Sequence, residues 1–549
     1  MKKIIFTQTL LLIIFSGLTL CTNGQGFSST VQKRLQYVID SFQNNPSNPF
    51  IGGISAAIKV DELADWTGAT GYAARNVDAN NNVLPGGTPF KVNTLSRIYS
   101  ITKTFTAPLV LQLANEGAFN LEDLISKYIP FNLINPGLNS QVTIRQLLAH
   151  ESGYSDFTDE INLQIAVAAQ PTHVWTPYEM LSFVHQENPV GSIRKYSSTN
   201  YVLLGAIIEK VTGKPVEDFY RNRFFIPLGL TSMYFDVREQ NPTKTVLASP
   251  HDNISPFNPV FLQTGQPTFP DAYTNISRFP YTAIASLGFT GGAIISDVKD
   301  VAAWSSALFN GKATGKNILN TMLQSISPNG DEDGDRLGYG LFLSKKISGV
   351  YDFYGHDGNA PGYRSVMFYQ PDKKLTLVIL TNYHGANIYA VAKALYNAVP
   401  VFQCGHNEDK VTICFHGKNF CLPRIAASKF IASGATLGAC DEQCSTPLAG
   451  DVTINSKLQI VFNNIADGVF PNPFTRSVTF SFTSSAAGQA SITLYDMNGR
   501  LMATVFSGYV EKGISKQVNF NGSKLPAGIY ISRLQTVSGI SQQRVIKVH

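Results

Sequence analysis

The chain is 549 residues long with 44% hydrophobic residues, enough for a large core and two to four domains, which excludes a small stapled module as the whole molecule. A net charge of +5 with 15% charged residues, and no basic patch interleaved with aromatics, excludes nucleic acid as a partner.

Lys2-Lys3, the apolar stretch from Ile4 to Leu20 and the polar Thr22-Asn23-Gly24-Gln25 read as a signal peptide over residues 1–24, cleaved to leave Gln25 first. The alternatives are a membrane anchor, against which the stretch is short and holds Thr7, Gln8 and Thr9, and a lipoprotein on Cys21, against which Leu20 is bulky. No other stretch is long and apolar enough to span a bilayer, so we expect an exported chain, secreted or at the cell surface, with no stable membrane span after processing.

Short β-like runs at Ile54–Val60 and Thr67–Tyr72, broken by Asp and Gly, read as the edge of a sheet. The stretch Tyr99-Ser100-Ile101-Thr102-Lys103 runs into Leu109, Val110, Leu111 and Leu113 at helical spacing and stops at Glu116-Gly117. Ser100 thus opens a helix with Lys103 one turn on, and Pro108 predicts a kink near Thr104. A serine hydroxyl needs a base beside it to act as a nucleophile, and a desolvated lysine is such a base. The helix N-terminus supplies N–H donors where an oxyanion would form.

Val142 to His150 reads as a short helix with Thr143 as N-cap and Gly153 just beyond its end. Tyr196-Ser197-Ser198 precedes a helix with Leu203, Leu204, Ile207, Ile208 and Val211 on one face and Gly213 as its stop, and Pro215 opens the next. Residues 241–285, rich in Pro, Asn and Phe, carry no assignable pattern. The Gly-rich Gly288 to Ser296 leads into a helix over Val298–Leu308, with Asp297 near its start. Val366–Tyr369 and Leu375–Leu380, joined at Pro371-Asp372, read as an antiparallel hairpin covered by a helix over Ile388–Ala398. Residues 30–400 are therefore one mixed domain whose strands, at both ends of the sequence, pair in one sheet.

Cys404, Cys414, Cys421, Cys440 and Cys444 crowd into residues 401–446 with His406 and His416. For an exported chain, disulfides in a small module are the favoured reading over a zinc site; five is odd, and the pairing is open. Because these cysteines follow the last strand that carries a chemical motif, the module is expected to be separable from catalysis. After a linker at 447–461, residues 462–549 alternate at Val478, Phe480, Phe482, then Ile492, Leu494, then Ile529, Ile531, with turns at Asn498-Gly499 and Pro526-Ala527-Gly528, the pattern of an all-β sandwich.

Three elements recur in order: Ser100-x-x-Lys103, Tyr196-x-Ser198, and His356-x-Gly358 at the start of a strand. With Leu147-Leu-Ala-His150-Glu-Ser152-Gly153, Tyr201-Val-Leu-Leu-Gly205, Pro227-Leu-Gly-Leu230 and Gly291-Gly292, they make about 350 residues resemble the serine β-lactamase and penicillin-binding protein superfamily. The resemblance is to its branch of class C β-lactamases, D-Ala-D-Ala carboxypeptidases and esterases. It implies an α+β fold, an antiparallel sheet flanked by helices plus an all-helical subdomain. It implies Ser100 as an acylated nucleophile, Lys103 and Tyr196 as the basic pair that takes and returns its proton, and the N–H groups of Ser100 and Asn359 as the oxyanion hole, with Ser198 and Gly358 at the substrate. His356 stands where many relatives have lysine, with a charge that would follow pH. His150 and Ser152 are expected to hold the helix end. Ser198 replaces an Asn of the class C pattern and no class A deacylating glutamate is recognisable, so the resemblance favours a carboxypeptidase or esterase over an efficient β-lactamase, acting on a small peptide, ester or β-lactam with neither metal nor cofactor. Pro471-Asn-Pro-Phe474, Leu494-Tyr-Asp-Met-Asn-Gly-Arg500 and Leu525-Pro-Ala-Gly-Ile-Tyr530 resemble the sorting domain of the type IX secretion system, which implies that machinery as a partner. The rival reading is a binding or adhesion protein that uses the same fold to recognise a cell-wall peptide or another ligand without turnover; the intact Ser, Lys and Tyr argue against it.

Overall fold

The computed structural model describes residues 26–44, 52–331, 334–405, 410–440, 468–470, 474–484, 486–496, 500–526, 528–537 and 539–547. The expected signal peptide, the linker, Cys21, His406 and Cys444 lie outside these residues. One compact unit joins the chain up to 252 with 273–445; a second joins 253–272 with the residues from 446 onward.

The first unit is built on an eight-stranded sheet: β1 (Gly53–Val60), β2 (Ala64–Val77), β3 (Val83–Pro89), β4 (Arg336–Leu337), β5 (Phe342–Ser344), β6 (Phe353–Ala360), β7 (Tyr363–Gln370) and β8 (Leu375–Thr381), in the order β3-β2-β1-β8-β7-β6-β5-β4. All pairings are antiparallel. Strands from the two ends of the domain meet where Ile54 pairs with Thr381 and Ile58 with Leu377. The edge reading of Ile54–Val60 is therefore corrected: β1 is an inner strand between β2 and β8, buried on both faces. Its Ile54, Ala56 and Ile58 face one core while the small Ala57 lies in the other, leaving room there for a helix.

On the first face α1 (Ser29–Gln43) and the C-terminal α5 (Ile388–Ala398) cover the sheet. On the opposite face sit α2 (Lys103–Asn115), α3 (Ser198–Thr212) and α4 (Val298–Phe309). Asp297 caps α4 by accepting the N–H groups of Lys299 and Asp300. A 3₁₀ turn, Tyr99–Thr102, precedes α2, which runs on through Pro108 to Asn115. What holds α2 is packing: Phe105 stacks on Trp304 of α4 with ring centroids 3.8 Å apart, and the Trp304 indole N–H donates to Thr104 Oγ1 at 2.8 Å.

The unassignable 241–285 segment contributes a two-stranded ladder, His251–Asp252 with Thr274–Asn275, and enters the helix Thr282–Gly292, which kinks at Phe289 (φ 34°, ψ −135°). Beyond α5, disulfides join Cys404 to Cys421 and Cys414 to Cys440, taking up four of the five clustered cysteines. They staple strands Lys410–Phe415, Lys418–Pro423 and Thr436–Leu437 and the helix Arg424–Ala432. This segment is not independent of the sheet, because Val411, Ile413, Ala427, Ala435 and Leu437 belong to the same core as Ile58, Phe353 and Leu395. The buried Arg424 also donates to the carbonyls of Asp61 (3.4 Å) and Lys373 (2.5 Å), at the ends of β1 and β7.

In the second unit two sheets face each other. Gly468–Phe470, Ser477–Thr483 and Ser515–Asn521 form one, and Leu501–Val510, Gly488–Asp496, Gly528–Thr536 and Gly539–Lys547 the other. Val478, Phe480, Phe482, Ile492 and Leu494 fill the space between them, as the alternation requires. Among the described residues no helix is long and apolar enough to cross a membrane.

Candidate active site

Ser100 sits in the turn that opens α2, one helical step before Lys103. The turn is pinned beside the kinked helix and a short three-stranded sheet of Ser96–Arg97, Ile294–Ser296 and Tyr234–Phe235. Lys103 is fully buried, and its Nζ donates to Ser100 Oγ at 2.9 Å, to the Gly291 carbonyl at 2.9 Å and to Ser198 Oγ at 3.3 Å. Burial lowers its pKa from the ordinary lysine value to about 7, against the carboxylates of Asp156 and Asp357, which pull it upward. Near neutral pH a substantial fraction of this amine is uncharged.

Tyr196 reaches Ser100 from the loop before α3, its hydroxyl donating to Ser100 Oγ at 2.8 Å. Burial raises this phenol well above its usual range, so it stays protonated. The loop is braced from beneath by His150, whose ring packs 4.8 Å from Tyr196 and whose Nδ1 accepts the N–H of Ser197. Ser152 donates to Asn200 Oδ1 at 2.6 Å. Both residues support the start of α3, where the sequence suggested that they hold the helix end.

His356 and Gly358 lie on β6 facing α2, whereas Asp357 points to the other face, where it accepts from Tyr389 of α5. Residues 356–360 pair with β7 on one side; β5 pairs only with Phe353–Gly355, so on the other side this stretch has no strand partner among the described residues. Gly358 lets the strand close on the nucleophile turn, since a Cβ there would lie 2.3 Å from the Ile98 carbonyl and 2.4 Å from Ser365 Oγ. Burial first, and Lys103 second, hold the pKa of His356 well below the usual imidazole value, which moves its pH-dependent charge into acid and leaves the ring neutral at neutral pH. Its Nδ1 lies 2.6 Å from the Asp357 carbonyl, which can only accept, so Nδ1 carries the proton and Nε2 is a bare acceptor with no partner among the described residues.

The structure therefore brings Ser100, Lys103, Tyr196 and Ser198 into one hydrogen-bonded group and sets His356 against Tyr196, ring centroids 5.8 Å apart. Asn359 is exposed at the open side of β6. Sequence reasoning missed Asp156, which is half-buried, accepts the N–H of Ser198 at 2.8 Å and acts on both Lys103 and Tyr196. Its position just before Thr158 was legible only as a turn cap.

Residues 56–399 match the Beta-lactamase family and residues 468–548 match the Secretion system C-terminal sorting domain. The chain belongs to the β-lactamase family, whose members in the penicillin-binding protein superfamily are serine hydrolases, and its C-terminal sorting domain directs export to the cell surface or the medium. It is 26% identical over 317 residues to Protein flp of Staphylococcus aureus (57% of this chain, 56% of that protein) and 27% identical over 301 residues to Penicillin-binding protein 4* of Bacillus subtilis (54% and 62%). It thus spans little more than half the length of these curated relatives. Among solved structures it resembles a D-stereospecific amidohydrolase from Streptomyces sp. (25% identity, TM-score 0.53, covering 67% of this chain and 99% of that one). In fold it also resembles the D-amino acid amidase of Ochrobactrum anthropi SV3 (23% identity, TM-score 0.55, covering 67% and 99%).

Proposed function

We propose that this chain is an exported serine hydrolase that works through an acyl-enzyme on Ser100, with D-Ala-D-Ala peptides or short esters as its substrates and β-lactams as weaker ones. The hydrolase occupies 30–400, with the Cys-rich segment at 401–446, the linker at 447–461 and the sorting domain at 462–549. The observation that carries the reading is the approach of Lys103 Nζ (2.9 Å) and Tyr196 Oη (2.8 Å) to one serine hydroxyl at a helix start. The likeness to an amidohydrolase supports an amide bond among the substrates.

In this reaction uncharged Lys103 takes the Ser100 proton as Oγ bonds to the substrate carbonyl carbon. The oxygen that becomes negative accepts from the N–H groups of Ser100 and Asn359. Tyr196, held as a phenol, passes its proton to the departing nitrogen or oxygen as that bond breaks and is reprotonated from Lys103; water then repeats the sequence on the acyl group. Ser198 keeps Lys103 aimed. His356, neutral and beside Tyr196, presents an acceptor to this relay.

The test is intact-protein mass spectrometry after exposure to a reactive phosphonate, alongside turnover of D-Ala-D-Ala peptides, short-chain esters and β-lactams. Added mass on the Ser100 peptide with hydrolysis of one of these classes supports the reading. Labelling elsewhere refutes the mechanism, and no labelling with no turnover favours a binding protein.

A further inference from the structure

The Ser100 turn and the β6–β7 turn come from distant parts of the sequence, yet a single hydroxyl spans them. Tyr281 donates to the carbonyl of Pro361, in the Pro361-Gly362 turn, at 2.5 Å. A carbonyl only accepts, so the one phenolic proton of Tyr281 is committed there, and its oxygen accepts the hydroxyl of Tyr99. The chain of donors thus runs from Tyr99, the residue before Ser100, through Tyr281 to a carbonyl two residues after Asn359.

Both ends need such a tether. Tyr99 has φ of 44°, a left-handed conformation that a bulky residue keeps only when its surroundings impose it. At the other end, Gly362 (φ 80°) donates to Asp252 Oδ2 at 2.8 Å, so the turn is held on its outer side as well. The bridging ring is itself fixed: the Arg97 guanidinium lies 4.3 Å from its centroid while bonding Asp236 at 2.6 Å and Tyr363 Oη at 2.8 Å.

We propose that Tyr281 is a positioning residue that sets the spacing between the Ser100 and Asn359 N–H groups by tying Tyr99 to Pro361. This rests on the acyl-enzyme reading above. Tyr281 touches no reacting atom; its effect is on how well two donors converge on the oxyanion, which is felt in the transition state and not in ground-state binding.

The experiment compares the full-length chain with Tyr281→Phe, Tyr99→Phe and the double variant on p-nitrophenyl acetate, with phosphonate labelling of Ser100 followed in time. Each single variant is expected to lower kcat by about tenfold with KM within about twofold, less than the 10²–10³-fold cost of deleting an oxyanion donor outright. Labelling should still reach one group per chain, about tenfold more slowly, and the double variant should be no worse than either single one, because both remove the same link. An unchanged kcat, a fall in the fraction labelled instead of its rate, or multiplied losses in the double variant overturns the inference while leaving the hydrolase standing. A wild-type chain that neither turns over nor labels at Ser100 overturns the hydrolase reading and this inference together.

Discussion

Asp156 accepts the backbone N–H of Ser198, so a half-buried carboxylate is fixed at the start of the helix whose first hydroxyl meets Lys103. An asparagine keeps one acceptor oxygen for the Ser198 N–H, gives up the second oxygen that accepts from Thr158, and removes the charge. Asp156→Asn is expected to leave the fold intact and to lower the Lys103 pKa further, since the carboxylate raises it. The acid limb of kcat/KM should move to lower pH; a limb that stays in place counts against Lys103 as the group that titrates.

In the wild-type chain kcat/KM should rise with pH through about 7, because Lys103 must lose its proton to act and its pKa is lowered to about 7. Tyr196 should add no alkaline limb below about pH 10, as burial moves it upward from the usual phenol value. The stability sign is separate. A lysine near 10.5 when unfolded and about 7 when folded binds more protons in the unfolded state between these values, so its contribution to stability grows as pH rises across that window. Lys103→Met should therefore abolish turnover, by roughly the 10⁶-fold seen when a residue of such a unit is deleted, and raise the melting temperature at pH 7.

Gly358→Ala places a methyl 2.3 Å from the Ile98 carbonyl, and neither neighbour is a free side-chain end. The strand must retreat from the nucleophile turn. We expect kcat/KM to fall by about 10²-fold, in line with an ångström of misplacement, with far-ultraviolet circular dichroism unchanged. Full activity would show that β6 does not need this approach.

How much of this was readable from residues alone depended on period. The helix Ile388–Ala398 and the hairpin before it appear as expected because each buries an unbroken apolar set. Ser100 and Lys103 were legible through their spacing of one helical turn, and Tyr196 through the resemblance that its Tyr-x-Ser motif carries. Asp156 and Tyr281 were not: their meaning comes from partners 42 and 80 to 182 positions away, and no local pattern encodes that. The neutral state of His356 was hidden for a related reason, since burial is set by Phe342 stacking on it at 4.0 Å from another strand.

The disulfide segment gives a prediction opposite to its apparent separateness. Because Val411 and Leu437 lie in the sheet's core, reducing Cys404–Cys421 and Cys414–Cys440 should cost about 2–4 kcal/mol per bond and lower the temperature at which hydrolysis is lost. A chain ending at residue 400 should express poorly. Identical thermal inactivation with and without reductant would restore the view of a detachable module.

Removing everything after residue 461 should leave hydrolysis intact and stop delivery to the outside, as the sandwich has its own core. Cell fractionation with an activity assay decides it: a truncated chain that still reaches the surface removes the sorting role.

The pairing of β1 with β8 also sets a timetable. Residues 54–60 leave the ribosome more than 300 residues ahead of the strand that completes their hydrogen bonding. Until Leu375–Thr381 arrives, one side of an apolar strand stays open. For an exported chain that delay keeps the sheet from closing before its last strands are made, which leaves the unfinished domain open longest at the β1 edge.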